Sequence, residues 1–379
     1  DIFGFMLADL AESRGLSIAE MRKAANEMTG WKEEAAVTAG LVDGILRRTE
    51  MEEKLHDKVG FDYDEKLNFV GTNDYFKARL NKLSGGGDEV AVLIAEGSIV
   101  DGIGDAGMIG DKKYIKELEK LIEDDDVKAV VLRVNSGGGS ASSSENIWYA
   151  AEKLKESGKP FVVSMGDYAA SGGYYIAAGA DSIFAEPTTI TGSIGVFTVL
   201  PVLEEMLNDK LGINFDTINT ARNATAFSVY RDVSEEQADL LTRRSESIYL
   251  QFMERVAEGR DIPLDRVKEI ARGRVYSGVD ALEINLVDRI GGVDEAITSA
   301  AKLAGLDTDE YSVGHYPRLK PSWERLINEI MGENKDEVRI SDYLLREQLG
   351  EEGFEYYNMI QQMVRANGPQ ARLPLVLKF

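Results

Sequence analysis

Hydrophobic residues along this chain switch between two periods. Continuous apolar runs at residues 90–95, 128–134, 161–164 and 182–185 predict short, fully buried strands. Between them, residues 113–123 alternate at helical spacing, and residues 143–157 place Ile147, Ala150, Ala151 and Leu154 on one face. Residues 170–178, rich in alanine and small residues, read as a further helix. Strands without polar alternation, separated by helices, imply a parallel sheet covered on both faces. Beyond about residue 220 the pattern turns helical. A long helix is predicted over 234–258, opened by Ser234 with Glu236 and Gln237 in its first turn. The acidic, amphipathic stretch 323–363 predicts helices packed on the domain or on a neighbour.

Two segments of the pattern match each other. Arg14-Gly15-Leu16-Ser17-Ile18 leads to Ala36 and Leu41-Val42-Asp43, and Arg260-Asp261-Ile262-Pro263-Leu264 leads to Ala281 and Leu286-Val287-Asp288. Each has a helix start, an aromatic (Trp31 or Tyr276), a second short helix and Leu-Val-Asp, with spacings that differ by one residue. Chance likeness between helical segments is the plain alternative. A real repeat means that the second copy closes a domain whose sheet spans about 88–220, and the first closes a domain that begins upstream. The expected organisation is then residues 1–60 as the tail of an upstream domain and 61–87 as a linker around Ser84-Gly85-Gly86-Gly87. Residues 88–305 form a serine-bearing α/β domain, and 306–379 a mostly helical extension.

Composition narrows the chemistry. The chain has 379 residues, 44% hydrophobic and 29% charged, which suits a globular protein of two or three domains. It contains no cysteine, which excludes disulfides, thiolate metal sites and cysteine catalysis. No apolar run reaches 18 residues, and the first residues lack the form of a signal peptide. A formal charge of −23 opposes nucleic-acid binding; it reads as a solvated surface, with adaptation to high salt as the sharper alternative.

The candidate chemistry lies at two strand ends. One strand runs into Asn135-Ser136-Gly137-Gly138-Gly139-Ser140, and the next into Asp167-Tyr168-Ala169-Ala170-Ser171-Gly172-Gly173. A serine beside a glycine turn with unshielded N–H groups suits acyl transfer, because a tetrahedral oxyanion needs preorganised donors next to the attacking oxygen. Both turns belong at the carboxyl edge of one parallel sheet. No general base accompanies the serine. The two histidines, His56 and His315, read as surface residues, so the base should be a lysine whose pKa burial has lowered. The lysines sit in charged helices (Lys112, Lys113, Lys116, Lys120) or at a turn (Lys159), where solvated lysines belong. Gly102-Ile103-Gly104-Asp105-Ala106-Gly107 fits a dinucleotide fingerprint but stands too far from its strand. Thr191-Gly192-Ser193-Ile194-Gly195 lacks the first glycine of a nucleophile elbow, which leaves Ser193 as a wall or positioning residue. No metal-ligand cluster and no cofactor motif stands out.

These stretches, with Met165-Gly166, Ile194-Gly195-Val196-Phe197, Tyr276-Ser277-Gly278 and Leu286-Val287-Asp288, closely resemble the signal peptide peptidase A (protease IV) family over residues 88–305. Residues 1–60 resemble the end of the N-terminal half of its long tandem form. The resemblance implies a crotonase-like (ClpP-like) α/β fold of repeated ββα units. It also implies a Ser-Lys dyad that degrades cleaved signal peptides and other apolar peptides. On this chain the nucleophile maps to Ser171, and the oxyanion donors map to the backbone N–H groups of Gly138, Gly139 and Gly172. Gly137 replaces the proline usual in that turn. In the short form the lysine position falls near Ala224, and no lysine stands between 211 and 267. In the long form the lysine comes from the N-terminal half, so this chain alone is expected to be inactive or nearly so. The family also implies self-association, and a place at the extracytoplasmic side of the bacterial inner membrane with any anchor outside this chain. The alternatives are a crotonase-fold acyl-CoA enzyme, which thioester turnover would reveal, and a non-catalytic scaffold half, which Ser171→Ala would leave unaffected.

Overall fold

The computed structural model of the protein describes residues 2–60, 67, 69–71, 87–105, 107–216, 228–307, 311–317 and 368–372. The chain divides into two compact units, Asp1–Ser84 and Gly85–Phe379.

The first unit is helical: α1 (Ile2–Arg14), α2 (Ile18–Asn26), α3 (Glu33–Thr38) and α4 (Arg48–Val59). Ser17 caps α2 through a capping box with Glu20. Leu7, Ala11 and Met21 make a small core, while Phe3, Met6 and Leu10 on α1 lie about half exposed.

The second unit runs β1 (Glu89–Glu96), β2 (Ser98–Val100), β3 (Met108–Gly110), α5 (Asp111–Glu123), β4 (Val127–Ser136), β5 (Gly138–Ser140) and α6 (Ala141–Glu156). It continues through β6 (Phe161–Ala170), α7 (Gly172–Tyr175), β7 (Ser182–Ala185), β8 (Ile190–Gly192), β9 (Phe197–Val199) and α8 (Glu235–Arg260). Then follow α9 (Leu264–Ile270), β10 (Val275–Ser277), α10 (Gly278–Glu283), β11 (Arg289–Ile290), α11 (Val293–Leu303), β12 (Ser312–Tyr316) and β13 (Gly368–Arg372).

The main sheet has the order β10-β8-β6-β4-β1-β12, and every pairing along it except β10–β8 is parallel. β6 forks its partners: its first half pairs with β7 and its last residues with β8. Side chains alternate between two cores. Ala91, Leu93, Val130, Leu132, Val163 and Met165 face α5, α6, α7 and α8, whereas Val90, Val92, Val131 and Val162 face α11 through Ala296, Ala300 and Ala301. A second sheet, β3-β2-β5-β13-β9, sits at the carboxyl ends of β1 and β4.

The structure corrects several expectations. The predicted helix over 170–178 shrinks to Gly172–Tyr175, because β6 continues to Ala170 in register with β4 and β8 (Ser136↔Ala169, Ala170↔Gly192). Within residues 306–379, expected to be mostly helical, two of the described segments are strands: Ser312–Tyr316 extends the main sheet beside β1, and Gly368–Arg372 joins the second sheet. The helices predicted over 323–363 lie outside the described residues. The histidines are not surface residues: His56 is buried on α4 and His315 is half-buried on β12.

The two matching segments share one hydrogen-bonding scheme. Arg14 Nε donates to Gly40 O and pairs with Asp43; Arg260 Nε donates to Asn285 O and pairs with Asp288. Leu41 N donates to Ala36 O as Leu286 N does to Ala281 O, both at 2.9 Å. Leu16 N reaches Ala11 O as Ile262 N reaches Ala257 O. Two long-range arginine contacts and two helix-end closures thus recur at matching positions, and the arginine contacts are the part that helix formation alone does not produce.

Candidate active site

β4 ends in a polar clamp. Ser136 Oγ donates to Gly97 O at 2.6 Å and accepts from Gly138 N at 3.1 Å, which fixes the glycine turn at φ 93°. Gly139 then runs so close to β2 that an added Cβ would stand 1.9 Å from Ile99 O. Only glycine fits there, in a strand flanked by β2 and β13.

β6 arrives beside this turn through an irregularity. Its pairing with β4 slips between Val134↔Met165 and Ser136↔Ala169, and Asn135 Oδ1 fills the gap by accepting from Tyr168 N at 3.3 Å. Such a bulge re-aims the strand end. Ser171 follows at φ 53°, ψ −117°, a conformation costing about 1–3 kcal/mol for a residue with a Cβ. Its N–H donates to Gly192 O at 2.8 Å, so β8 holds the strained residue in place. The side chain is 1% exposed, and its Oγ has no hydrogen-bond partner among the described residues. A strained serine at a sharp strand-to-helix turn is the geometry of a nucleophile elbow. Gly172 N–H opens the helix and so has no acceptor within it. Gly173 presses α7 onto the end of β4, where a Cβ would stand 2.4 Å from Ser136 O.

A polar network behind α7 fixes its direction. Tyr175 Oη donates to Glu145 Oε2 at 2.6 Å. Glu145 Oε1 also accepts from Gln251 Nε2 at 2.9 Å and Arg255 Nη2 at 2.8 Å. Burial first, and then the Glu145 hydrogen bond, push the Tyr175 phenol pKa well up, so it stays a donor. Arg255 stacks over Trp148 at 4.1 Å, and Tyr175 stacks on Phe252 at 4.4 Å. Glu145→Ala removes the acceptor for three donors, one of them charged. It is expected to destabilise the chain by about 2–3 kcal/mol, whereas Glu145→Gln keeps an acceptor and loses less. Urea denaturation of both variants reads the difference, and equal losses would show that charge, not acceptance, holds the network.

Ser171, Gly172 and the Gly138-Gly139 turn are thus brought to one corner of the sheet. The Gly138 amide is already engaged by Ser136 Oγ, which leaves Gly139 and Gly172 as the donors nearest in role to what the sequence suggested. Ser193, at φ 50°, is 4% exposed and donates its N–H to Arg274 O beside the Gly192 anchor. His315 pairs at the level of Val92, three strands from β6 and near its far end, so it cannot serve Ser171. Burial lowers the pKa of Lys159, but its Nζ is held by Leu121 O and Asp124 O before β6 begins. The ten residues of β6 put about 30 Å between that end and Ser171. The lysine position near Ala224 lies outside the described residues. The 102–107 glycine loop is consumed locally: Gly102 N donates to Asp111 Oδ1 at 2.7 Å, and Lys112 N donates to Gly102 O at 3.0 Å. Among the described residues no three His, Asp or Glu side chains gather as metal ligands would, and no helix is long and apolar enough to cross a membrane. Sequence reasoning missed Ser136, Asn135 and the Glu145–Tyr175–Arg255 network. A serine and an asparagine directly before the glycines could have signalled the first two; the network joins residues too distant in sequence to leave a local mark.

Fold and site together define a parallel α/β chain with a buried elbow serine beside a glycine strand, the layout of an acyl-transfer site. Comparison with known proteins agrees. Residues 153–307, which include Ser171, match the model of peptidase family S49. The chain is 38% identical over 272 residues to Protease 4 of Haemophilus influenzae, covering 71% of this chain and 44% of that protein. It is 34% identical over 239 residues to an Enterococcus faecium protein named for the signal peptide peptidase SppA, covering 62% of this chain and 69% of that one. It is 35% identical over 275 residues to the chloroplastic serine protease SPPA of Arabidopsis thaliana, covering 71% and 40%. The chain therefore belongs to peptidase family S49, the signal peptide peptidase A family, with its crotonase-like (ClpP-like) α/β fold. It spans about two fifths of the length of the Haemophilus and Arabidopsis relatives.

Proposed function

We propose that this chain supplies the nucleophile and oxyanion donors of a serine peptidase whose base is a lysine from an upstream half. The Oγ of Ser171, buried in its strained turn and unpartnered among the described residues, is the observation that carries the reading. Ser171 Oγ attacks the peptide carbonyl carbon while the neutral lysine takes its proton. The oxyanion rests on the Gly139 and Gly172 amides, each worth about 2.7–4 kcal/mol in such sites. The C–N bond then breaks, and the lysine ammonium returns the proton to the leaving amine. Water attacks the acyl-enzyme with the same lysine as base, and the serine is released.

The unmatched helix α1 supports the upstream half. It repeats the end of α8, but where Phe252 and Val256 are fully buried in the sheet's core, their counterparts Met6 and Leu10 are 50% and 48% exposed. An apolar face that a sheet covers in one copy and leaves bare in the other fits residues 1–60 as the closing element of a preceding peptidase-like domain. As the family resemblance implies, the substrates are signal peptides, the term that one relative's name carries, and other apolar peptides, processed by a self-associating enzyme at the outer side of the bacterial inner membrane.

The test compares hydrolysis of a fluorogenic apolar peptide by this chain and by a form extended upstream through the family's lysine segment. Activity confined to the extended form is expected. Ser171-dependent turnover by this chain alone would sink the split dyad and put the base within its own lysines.

A further inference from the structure

The glycine strand leaves the site past a carboxylate that the proposed chemistry does not use. β5 lies parallel to β2, with Gly139 opposite Ile99. Just before β2, Gly97 O accepts from Ser136 Oγ at 2.6 Å, which holds the entrance of the glycine turn. Just after β2, Asp101 Oδ1 accepts from Ser140 Oγ at 2.7 Å and from Ser143 Oγ at 2.5 Å, and Ser142 Oγ reaches it at 3.4 Å. Ser140 Oγ also accepts from Ser143 N at 3.3 Å and so caps α6. Burial works to raise the Asp101 pKa, and the three hydroxyls more than reverse it. A full negative charge therefore stands at the N-terminal end of a 16-residue helix, which favours it.

The turn that carries Asp101 is itself fastened. Gly102, at φ 89°, donates its N–H to Asp111 Oδ1 at 2.7 Å and accepts from Lys112 N at 3.0 Å. Asp111 is 7% exposed, and its Oδ2 accepts from Asn146 Nδ2 on α6 at 2.8 Å. The glycine-rich loop after β2 is thus tied to α6 twice, through Asp101 and through Asp111.

We propose that Asp101 is a positioning residue for the oxyanion strand: by fixing Ser140 it sets where the Gly139 amide stands when the tetrahedral intermediate forms. The inference rests on the peptidase reading above, since that reading makes Gly139 a donor. The placement of the two clamps carries it. Ser136 with Gly97 and Ser140 with Asp101 lie on either side of the Gly139–Ile99 pair, so Gly139 is held from both ends against the same neighbour. Main-chain pairing with β2 and β13 sets the register of β5, but Gly138 and Gly139 have no side chains to pack, and the clamps fix the strand's ends. An oxyanion donor displaced by about 1 Å forfeits much of its effect. Asp101 acts through Ser140 and has no need to touch substrate.

The experiment measures kcat and KM of the lysine-extended form on a fluorogenic apolar peptide, unaltered and as Asp101→Ala, Asp101→Asn, Ser140→Ala and the Asp101→Ala, Ser140→Ala pair. Asp101→Ala is expected to lower kcat by about 10–100-fold and leave KM in place, because the misplaced amide serves the oxyanion. Asp101→Asn keeps an acceptor oxygen and should recover most of the loss. Ser140→Ala should match Asp101→Ala, and the pair should be no worse than either, since one clamp cannot be lost twice. Ser140→Ala removes a single hydroxyl and reads the same change should Asp101→Ala fail to fold. An unchanged kcat, a KM that rises as far as kcat falls, or losses that multiply in the pair overturns the proposal. Backbone hydrogen exchange over residues 138–144 of the present chain tests the clamp without catalysis. Asp101→Ala should speed it about tenfold, and unchanged exchange overturns the proposal. Faster exchange with no Ser171-dependent hydrolysis by the unaltered extended form would sink the peptidase reading and leave the clamp on β5 standing. Faster exchange with Ser171-dependent hydrolysis that Asp101→Ala does not slow would sink the positioning role and leave the peptidase reading intact.

Discussion

Replacing Ser171 with alanine in the lysine-extended form is expected to lower kcat by about 10⁴–10⁶-fold, the loss seen when a serine nucleophile is removed, while leaving the fold as stable as before or more so. The second half of that expectation follows from the turn itself. Ser171 Oγ is buried and makes no hydrogen bond among the described residues, so alanine forfeits no partner there and relieves an orphan hydroxyl. That relief is worth about 1 kcal/mol, at the low end for an unsatisfied buried polar group. Alanine keeps the backbone strain at φ 53°, and glycine removes it. Glycine's greater freedom in the unfolded chain takes back about 0.5–1 kcal/mol of the gain. The order of stability should be glycine at least equal to alanine, and both above serine by about 1–2 kcal/mol. Urea midpoints of the three proteins measure it, and neither lysine nor substrate is needed. A serine form more stable than both variants by 1 kcal/mol or more would mean that the hydroxyl has a structural role and that the turn is not a strained nucleophile elbow.

How much of this was legible follows the range of the interactions. The strands at Glu89–Glu96 and Val127–Ser136 are apolar runs without alternation, and burial on both faces writes that signature locally. The long helix Glu235–Arg260 declared its start through Ser234 and Gln237, a cap made within four residues. Ser171 itself was legible because small residues must flank a turn this tight, and Gly173 is pinned by Ser136 O. The conformation of Ser171 was not legible. Ala169 and Ala170 favour helix by propensity, and only pairing with β4 and β8 keeps them extended. The same limit hid β12 and β13. Ser312–Tyr316 and Gly368–Arg372 are short and poor in apolar residues, and their partners stand hundreds of residues upstream. The glycine turn showed its composition but not its division of labour, since the clamp that occupies the Gly138 amide depends on the Ser136 rotamer.

Gly139→Ala is the steric counterpart of the serine replacement and should be nearly as damaging to turnover. An added Cβ would meet Ile99 O at 1.9 Å, Ile99 C at 2.7 Å and Ile99 N at 2.8 Å. All three atoms are backbone, so no rotamer change clears them. β2 or β5 must move by more than 1 Å to reach ordinary contact, near 3.4–4 Å. β2 is flanked on its other side by β3 and β5 by β13, so the clash is shared between the two strands and any shift of β5 moves the amide proposed as the oxyanion donor. Losing one such donor lowers kcat by about 10²–10³-fold, and overpacking removes about 1–3 kcal/mol of stability. KM should change little, because the interaction is made with the oxyanion and not with the ground-state carbonyl. Gly173→Ala, whose Cβ would stand 2.4 Å from Ser136 O, should act through the other wall by pushing α7 and the Gly172 amide away from the end of β4. Gly30→Ala is the control: its Cβ meets nothing within 4 Å and its backbone is not left-handed, so both kcat and the urea midpoint should hold. Wild-type kcat in Gly139→Ala would remove this strand from the catalytic site, because β5 cannot accept that methyl group and still present its amide unmoved.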